Sequence, residues 1–285
     1  VIWETGTKAG AVIKNVGLVN GRIFIDTGDH YGNALVGLFN ANDECVWSWH
    51  IWSTDYDPEE YAQTYFSGAT FMDRDLGAMN NTYDQRSNYG TFYQWGRKDP
   101  FLQGIDDTPA IYLAGYEYSH VDPDTGGFGD HGQEIMNVEW ATAHPTAEIG
   151  PNLYLNIIDW QYDDRPYSWG NRTTSEDNVI EKGEKSIYDP CPPGWKMPNP
   201  ADFQGITKVT DASNKTYSVF YSESRATIYK SYPYWTDAPY RWSFVTNSVI
   251  KYGDRNDTSI FFRDHELGSY SDYRTRLCPV RCIRE

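Results

Sequence analysis

Short segments of alternating apolar and polar residues, each closed by Gly, Asn or Pro, constrain the fold of this chain most strongly. In the segment CVWSWHIW, Trp47, Trp49 and Ile51 fall on one face of an extended chain. Ser48 and His50 fall on the other face. A period of two is typical of a strand with one buried side, because successive side chains of a strand point to opposite faces. Three further segments have the same strand-like character: AVIKNV (11–16), GRIFID (21–26) and NALVGLFN (33–40).

Two turn signals separate these segments. Asn20-Gly21 lies in LVNGR, and Asp26-Thr27-Gly28-Asp29 lies in IDTGDHYGN. Both predict hairpins, since Asn, Asp and Gly accept the positive φ angles that tight hairpin turns require. Residues 1–57 are therefore predicted to form a β-rich lead-in, which would be the end of an upstream β-sandwich if another domain precedes it.

The rest of the chain shows no sustained helical period. YDPEEYAQTY (56–65) begins with acidic residues and predicts one or two helical turns. Residues 102–185 are rich in Gly, Pro, Asp and Asn, which predicts a loop-rich insertion with a helical piece near GQEIMNVEWATAH. Order resumes at SIYDPCPPGWKMP, after which short strands alternate with turns. We predict an α+β, β-rich fold with a second domain over 58–285.

Composition limits the partners of the chain. Its formal net charge is −16, which argues against nucleic acid and anionic membranes, because such binding depends on Lys and Arg displacing counterions. No apolar run reaches the roughly 18 residues of a membrane-spanning helix. The 23 Tyr and 11 Trp suit recognition surfaces, since their rings are apolar and their edges are polar. Because the chain begins at Val1 without a signal-like segment, we expect that an upstream signal, anchor or domain has been removed.

The four cysteines lack the C-x-x-C spacing of redox and zinc motifs. We predict a disulfide between Cys191 and Cys282. By the loop-entropy model, such a bond closes a loop of roughly 90 residues and contributes about 3–5 kcal/mol. This pairing leaves Cys45 and Cys278 as a second pair.

Six motifs occur together along the chain: WSWHIWSTDYDP (47–58), FMDRDLGA (71–78), FYQWGRKDPF (92–101), SIYDPCPPGWKMP (186–198), RWSF (241–244) and PVRCIRE (279–285). This combination resembles the Fibrobacter succinogenes major paralogous domain and the related C-terminal domains of fimbrillin-family proteins of Bacteroidetes, from Trp47 to the C-terminus. The resemblance implies a C-type-lectin-like fold, in which strands near the two ends pair, with two short helices and a long loop region. It also implies a secreted, non-catalytic adhesin, at the cell surface or the tip of a fimbrium.

Two of these motifs predict scaffold. In DPCPPGW, the prolines restrict φ and Gly194 does not, which predicts a bend that presents Trp195 to a core. In QWGRKDPF, residues 97–99 could bind a ligand, but we expect a solvated turn whose long cationic side chains lie over Trp95.

The stretch 229–276 is the predicted ligand-binding region. Tyr, Trp, Asp, Asn, Ser and Arg dominate it, and binding loops use these residues because aromatic rings offer contact area at small entropic cost. In a C-type-lectin-like fold, these segments would line the ligand face as loops, with Trp235 and Trp242 as core anchors in the alternative interpretation. The predicted ligand residues are Tyr232, Tyr234, Trp235, Asp237, Tyr240, Asn256, Asp257, Tyr270 and Tyr273.

Calcium is the one metal ion that the sequence suggests. The Glu-Pro-Asn, Gln-Pro-Asp and Trp-Asn-Asp motifs of calcium-dependent lectins are not in this chain. The segment DPDTGGFGD, with Asp122, Asp124 and Asp130 around glycines, could wrap a calcium ion, although it lacks the spaced Glu of an EF-hand. No other cofactor is expected.

Three alternatives stay open. One is a binding protein with retroelement-diversified loops, and another is a structural pilus subunit in which residues 1–57 dock to a neighbour by strand addition. The third is an enzyme of the formylglycine-generating type, which resembles the same fold and uses a cysteine pair. Free, reactive Cys278 and Cys282 would favour this enzyme, whereas a Cys191–Cys282 disulfide would exclude it. Sequence motifs for other catalytic sites, such as G-x-S-x-G and H-E-x-x-H, do not occur.

Overall fold

A computed structural model shows a β-rich protein with few and short helices. The structure describes the following residues: 1–64, 68–81, 90–102, 111–117, 119–121, 137–150, 168–170, 173–174, 179–180, 184–203, 207–210, 216–221, 226–229, 245–252, 255–263, 266–272, 274–275 and 277–285.

The strands, in chain order, are β1 (Trp3–Thr5), β2 (Ile13–Val19), β3 (Arg22–Thr27), β4 (Gly32–Phe39), β5 (Cys45–Ser53), β6 (Gln63–Thr64), β7 (Thr70–Phe71), β8 (Phe92–Gln94), β9 (Ile111–Leu113), β10 (Ser119–Val121), β11 (Ala147–Ile149), β12 (Thr173–Thr174), β13 (Val179–Ile180), β14 (Trp195–Lys196), β15 (Thr207–Thr210), β16 (Thr216–Tyr221), β17 (Ala226–Tyr229), β18 (Val245–Tyr252), β19 (Arg255–Arg263), β20 (Glu266–Asp272), β21 (Leu277–Pro279) and β22 (Ile283–Arg284). The described helices are α1 (Pro58–Tyr61), α2 (Val138–Ala143) and a 3-10 helix (Pro200–Phe203).

The first 57 residues form strands where alternation predicted them. β2 and β3 make a hairpin across Asn20-Gly21, whose φ angles of 51° and 73° are those of a tight two-residue turn. The second predicted hairpin, at residues 26–29, is wrong: β3 does not pair with β4. Instead, the Gly28 N–H donates to the Val12 carbonyl, and the chain crosses into another sheet, where β4 pairs with β1 and β5.

The two faces of β5 contact different parts of the protein. Ile51 packs with Ala34 and Val36 beneath the hairpin. Ser48 and His50, on the opposite face, bond to side chains of the segment 91–99. The predicted separation of Ile51 from Ser48 and His50 is therefore confirmed. The predicted single buried side is wrong, because Ser48 is 1% exposed while Trp47, Trp49 and Ile51 are only partly buried. A short strand of the predicted insertion, β9, completes the sheet of β5, β4, β1 and β9.

A buried network joins β5 to the segments 71–78 and 92–101. The Asn33 amide nitrogen donates to the Gly77 carbonyl at 2.8 Å, which fixes the amide so that its oxygen faces His50 Nε2 at 3.0 Å. Nε2 therefore carries the proton, and Nδ1 accepts from the Tyr93 hydroxyl at 2.8 Å. Gly77 has a φ of 83°, and a Cβ there would lie 2.8 Å from the Asn33 oxygen. The LGA turn thus needs glycine for this close approach.

We expect His50 to make the protein acid-sensitive. Burial lowers the pKa of His50 from 6.5 to about 3. Between these two pH values the imidazole is protonated in the unfolded chain and neutral in the native protein. The stability that the neutral ring contributes is present above pH 6.5 and is lost as pH falls toward about 3. His50→Gln keeps one donor and one acceptor but cannot titrate. Urea unfolding between neutral and acidic pH should show a slope shallower than the wild type's by up to about 1.4 kcal/mol per pH unit; equal slopes would contradict this assignment.

The motifs at 71–78 and 279–285 belong together because they dock on each other. The Met72 N–H donates to the Cys282 carbonyl, and the Leu76 N–H donates to the Val280 carbonyl. Beside these bonds, the buried Arg281 donates through Nε and Nη2 to Asp75 Oδ1, at 3.0 and 2.8 Å. β22 lies between β7 and β14 in the same sheet. Strands near the end of the chain therefore close the core.

The segment QWGRKD is buried, so the expected solvated turn is wrong. Arg97 is 2% exposed and donates to the carbonyls of Ala147, Ala141 and His144. The Gln94 amide nitrogen donates to the Ile149 carbonyl at 2.8 Å. Burial lowers the pKa of Arg97 to about 10, against the attraction of nearby carboxylates. Backbone carbonyl groups from a distant segment accept the hydrogen bonds that the Arg97 guanidinium would donate to water in an exposed turn. The scaffold role predicted for the motif agrees with this geometry.

The segment DPCPPGW forms the predicted bend. Trp195 is 2% exposed, and Gly194 has a φ of 82°. Asp189 organises the bend, because its carboxylate accepts from the backbone N–H groups of Cys191 and Met197 and from the Lys185 ammonium. Burial raises the pKa of Asp189, while Lys185 opposes the shift.

The disulfide between Cys191 and Cys282 is confirmed. The predicted second pair is wrong, since Cys45 and Cys278 are both thiols. They lie in different apolar clusters, Cys45 with Trp3 and Leu35, and Cys278 with the disulfide itself. Because the two thiols belong to different clusters, they do not form a disulfide with each other.

The helices follow their capping residues. The Asp57 carboxylate accepts from the Glu59 N–H at 2.9 Å, and Pro58 occupies the first turn of α1. The Asn137 side chain accepts from the Trp140 N–H at 2.7 Å and begins α2. α1 is one helical turn, where one or two were predicted in YDPEEYAQTY, and α2 lies within the predicted helical piece GQEIMNVEWATAH.

Candidate functional site

The predicted ligand residues lie in the segment 204–276, which we call the excursion. Its described parts are two antiparallel sheets, β15–β16–β17 and β18–β19–β20. Asn256 and Asp257 lie on β19, opposite Lys251 and Ile250 of β18. Tyr270 lies on β20, opposite Ile260. Six predicted ligand residues lie outside the described residues: Tyr232, Tyr234, Trp235, Asp237, Tyr240 and Tyr273. Trp242 and the predicted calcium ligands Asp122, Asp124 and Asp130 lie outside them too.

Asn256, Asp257 and Tyr270 lie on strands, which agrees with the alternation of short strands and turns predicted after residue 198 but not with the loops expected for a ligand face. Arg255 pairs with Tyr252, and Glu266 pairs with Arg263, so each connection between these strands has only two residues. The dipeptide Gly253-Asp254 was a sequence signal for the first of these hairpins. The abundance of polar residues concealed the strand pattern.

The start of the excursion is anchored in the core. The 3-10 helix ends at Phe203, which is 1% exposed and whose ring centroid lies 5.1 Å from that of Phe71. The Asp202 carboxylate accepts from the Asn199 N–H, and the Asn199 side-chain oxygen accepts from the Ala201 N–H, which together hold this helix. β19 lies against the same helix.

The end of the excursion is anchored as firmly. The Arg274 guanidinium is fully buried, 4.9 Å from the centroid of the Trp95 ring, and burial lowers its pKa to about 9. The Thr275 carbonyl accepts from the Gln94 amide nitrogen at 2.7 Å. β21 then pairs with β8, and the chain returns to the disulfide at Cys282.

A surface that the sequence analysis missed lies beside β5 and α2. It consists of four rings that are partly or fully exposed, and we call them the aromatic patch: Trp47, Trp140, His144 and Tyr188. The rings of Trp140 and His144 stack at 3.9 Å with an interplanar angle of 12°. Those of Trp47 and Tyr188 lie 5.8 Å apart. The spacing of four residues between Trp140 and His144 on a helix was the available signal.

The aromatic patch rests on a buried support. Trp140 and Tyr188 both pack on the cluster of Val138, Ala141 and Ile149. Partly exposed aromatic rings held in place in this way offer apolar contact area with little loss of side-chain entropy on binding. The geometry suits stacking against a planar or ring-shaped ligand.

Ser48, Lys98 and Asp99 form a hydrogen-bonded cluster of the residue types found around serine nucleophiles. Ser48 Oγ donates to Asp99 Oδ1 at 2.5 Å, and the Lys98 ammonium donates to both Ser48 Oγ and Asp99 Oδ1. All three side chains bond to one another and are buried. Ser48 is also only 1% exposed. The cluster therefore satisfies the hydrogen-bonding groups of three buried polar side chains.

The cysteines do not form the thiol pair that an enzyme of the formylglycine-generating type would need. Cys282 is held in the disulfide with Cys191. Cys278 and Cys45 are buried, and burial raises the pKa of the Cys45 thiol, which makes it less reactive. By the criterion set from the sequence, this arrangement argues against that enzyme.

Among the described residues, no group of three or more His, Cys, Asp or Glu side chains is placed to hold a metal ion. Within the same residues, no helix is long and apolar enough to cross a membrane.

No protein-family model, curated protein or solved structure matches this chain.

Proposed function

We propose that this protein is a non-catalytic, C-type-lectin-like adhesin that binds a glycan on the excursion. The observation that carries this proposal is the anchoring of both ends of the excursion, through Phe203 and Arg274, in one cross-linked core. Binding sites are commonly carried by variable segments that a rigid scaffold positions. A scaffold of this kind lowers the entropic cost of holding a ligand.

The architecture supports a C-type-lectin-like fold. β22, near the end of the chain, lies between β7 and β14, and α1 and α2 are both short. A long segment leaves and rejoins the core between β14 and β21. The paired strand near the end of the chain and the two short helices are consistent with the fold that the resemblance implies, whereas the described parts of the long segment are strands and not loops. The disulfide supports a secreted protein at a cell surface or fimbrium, because such bonds persist in oxidising compartments.

The composition of the excursion supports a recognition role. It contains nine of the 23 tyrosines in about a quarter of the chain. It also carries ten Lys and Arg against eight Asp and Glu, a net charge of +2 in a chain of net charge −16. The acidic remainder repels anionic ligands, whereas the excursion does not. Sugar ring faces would stack on its tyrosines, and Asp and Asn would accept hydrogen bonds from sugar hydroxyls.

A mixed glycan array, probed with the purified protein with and without calcium chelation, tests this proposal. We expect selective binding, and we expect Tyr234→Ala/Asp237→Ala to weaken it at least about tenfold, since losing a stacked ring and a charged acceptor costs more than about 1.4 kcal/mol. Loss of binding on chelation would indicate calcium as a cofactor.

Two further variants locate the binding surface. Trp140→Ala removes one of the two tryptophans of the aromatic patch, and Tyr61→Ala removes a tyrosine that is 44% exposed outside both surfaces. Binding that depends on Trp140 and not on Tyr234 would move the site to the aromatic patch. Absence of glycan binding would overturn the sugar ligand and leave a protein ligand as the alternative.

A further inference from the structure

The hairpin of β2 and β3 carries exposed apolar side chains. Leu18 is 55% exposed, Val19 54% and Phe24 48%. Within the described residues, no other strand pairs with either outer edge of this hairpin. Proteins usually block such an edge with proline, lysine or a bulge, because it can accept a further strand. The sequence of β3, RIFIDT, contains no proline or lysine, and the bulge of this hairpin lies on β2, between Ile13 and Asn15.

The geometry of the turn determines which backbone groups face outward. Across a two-residue turn, the flanking residues Val19 and Arg22 form a hydrogen-bonded pair, and such pairs alternate along an antiparallel ladder. Phe24 therefore bonds inward to Gly17. The N–H and C=O groups of Ile23 and Ile25 point away from β2, toward the open edge.

The sequence of β3 is complementary to itself in the antiparallel direction. We propose that two copies of this chain pair through β3, about a two-fold axis at Phe24. In this register Ile23 lies opposite Ile25 of the second copy, so the outward backbone groups meet as hydrogen-bonded pairs. Arg22 lies opposite Asp26 of the second copy, twice across the axis. The hairpins then form one continuous four-stranded sheet.

Side chains on the exposed face fit this register. The Phe24 ring lies across Gly17, where a Cβ would come within 2.3 Å of the ring, so the ring packs on β2. The axis brings it opposite Phe24 of the second copy. Arg22 and Asp26 are both exposed, and they have opposite signs at equal distances from Phe24. Charged residues usually protect a strand edge by repelling a second copy. Here Arg22 of each copy faces Asp26 of the other, so these charges attract.

The contact is small, and we expect a reversible dimer. Stable interfaces bury more than about 1,000 Å², whereas pairing of one six-residue strand buries less. Two excursions in one dimer would also raise the avidity for a multivalent ligand, if the proposed function holds. The dimer itself does not depend on that function.

Sedimentation velocity over a concentration series tests the proposal through two charge reversals. The wild type should show a monomer–dimer equilibrium. Arg22→Asp places two carboxylates opposite each other on both sides of the axis, and Asp26→Arg places two guanidinium groups there. Each variant alone should need at least about a tenfold higher concentration to dimerise. An equimolar mixture of both variants should restore dimers, because every pair in the mixed dimer is again Asp with Arg.

Lys14→Asp is the matched control, since it changes the net charge as Arg22→Asp does but lies exposed on β2. It should leave the equilibrium unchanged. Far-UV circular dichroism checks that each hairpin variant folds, and restoration in the mixture excludes misfolding. A wild type that stays monomeric at every concentration overturns the proposal. A dimer that ignores both reversals, or a mixture that fails to restore it, overturns it too.

Discussion

Replacing Arg281 with methionine is expected to lower the free energy of unfolding by about 3–5 kcal/mol, because it leaves a buried carboxylate without its cation. Arg281 is fully buried, and its Nε and Nη2 both donate to Asp75 Oδ1. Asp75 is fully buried as well. Urea unfolding at neutral pH measures the loss. A loss below about 1 kcal/mol, the range of exposed ion pairs, would contradict the role given to this pair.

The same variant should depend on pH in a defined direction. Burial raises the pKa of Asp75 to about 6 from 3.8, and Arg281 opposes the shift. A carboxyl group with a raised pKa contributes stability at low pH that is lost as pH rises through the raised value. Without Arg281 the pKa rises further, so the variant should regain stability as the pH is lowered from neutral.

Two controls separate charge from packing. Asp75→Asn/Arg281→Met removes the uncompensated carboxylate and should be more stable at neutral pH than Arg281→Met alone. Arg284→Met removes a nearby arginine whose side chain is 43% exposed and pairs with Glu59 at 2.6 Å. It should cost less than about 1 kcal/mol, since solvent screens exposed pairs.

Replacing Cys191 and Cys282 together with alanine is expected to cost about 3–5 kcal/mol by the loop-entropy model. The two residues are 91 positions apart, so the bond restricts a large part of the unfolded chain. The loop that it closes contains the whole excursion. Chemical unfolding measures the stability, and limited proteolysis reports whether the excursion is cleaved faster.

Cys45→Ala is the matched control for this experiment. It removes a buried thiol, 7% exposed, and leaves the disulfide intact. It should lose much less stability than the double variant, because only a small side chain is deleted. An equal loss in both would show that the bond itself contributes little.

Local chemistry explains which predictions succeeded. Asn20-Gly21 determines a type of turn that any antiparallel pair of strands can use, so sequence alone predicted that hairpin. The turn signal at residues 26–29 is equally local, but whether the strands on its two sides pair depends on distant sheet partners. β4 pairs with β1 and β5 instead of β3. A turn signal predicts where a strand ends. It does not predict with which strands the next strand pairs.

The charged turn at residues 97–99 illustrates a second limit. Sequence places an Arg, a Lys and an Asp side by side, and such groups are usually solvated. Here Ser48 and three carbonyls distant in sequence satisfy them, so they are buried. Their desolvation is compensated only in the folded state. The aromatic patch could not be predicted from the sequence either. Its rings come from β5, α2 and the turn at Tyr188, which are distant in sequence and become neighbours only in the folded protein.

The sequence by itself determined the β-rich character, the strands β2 to β5, the helical turn of α1 and the bend before Trp195, because each depends on neighbouring residues. The Cys191–Cys282 pairing was predicted too, although its partners are 91 positions apart and only the fold brings them together. Tertiary structure decided the sheet that β3 leaves for, the burial of Arg97, Lys98 and Asp99, the fate of Cys45 and Cys278, and the support of the excursion. These depend on groups far apart in the chain, and burial changes the free energy of a charge or thiol only when the fold has brought its partners to it.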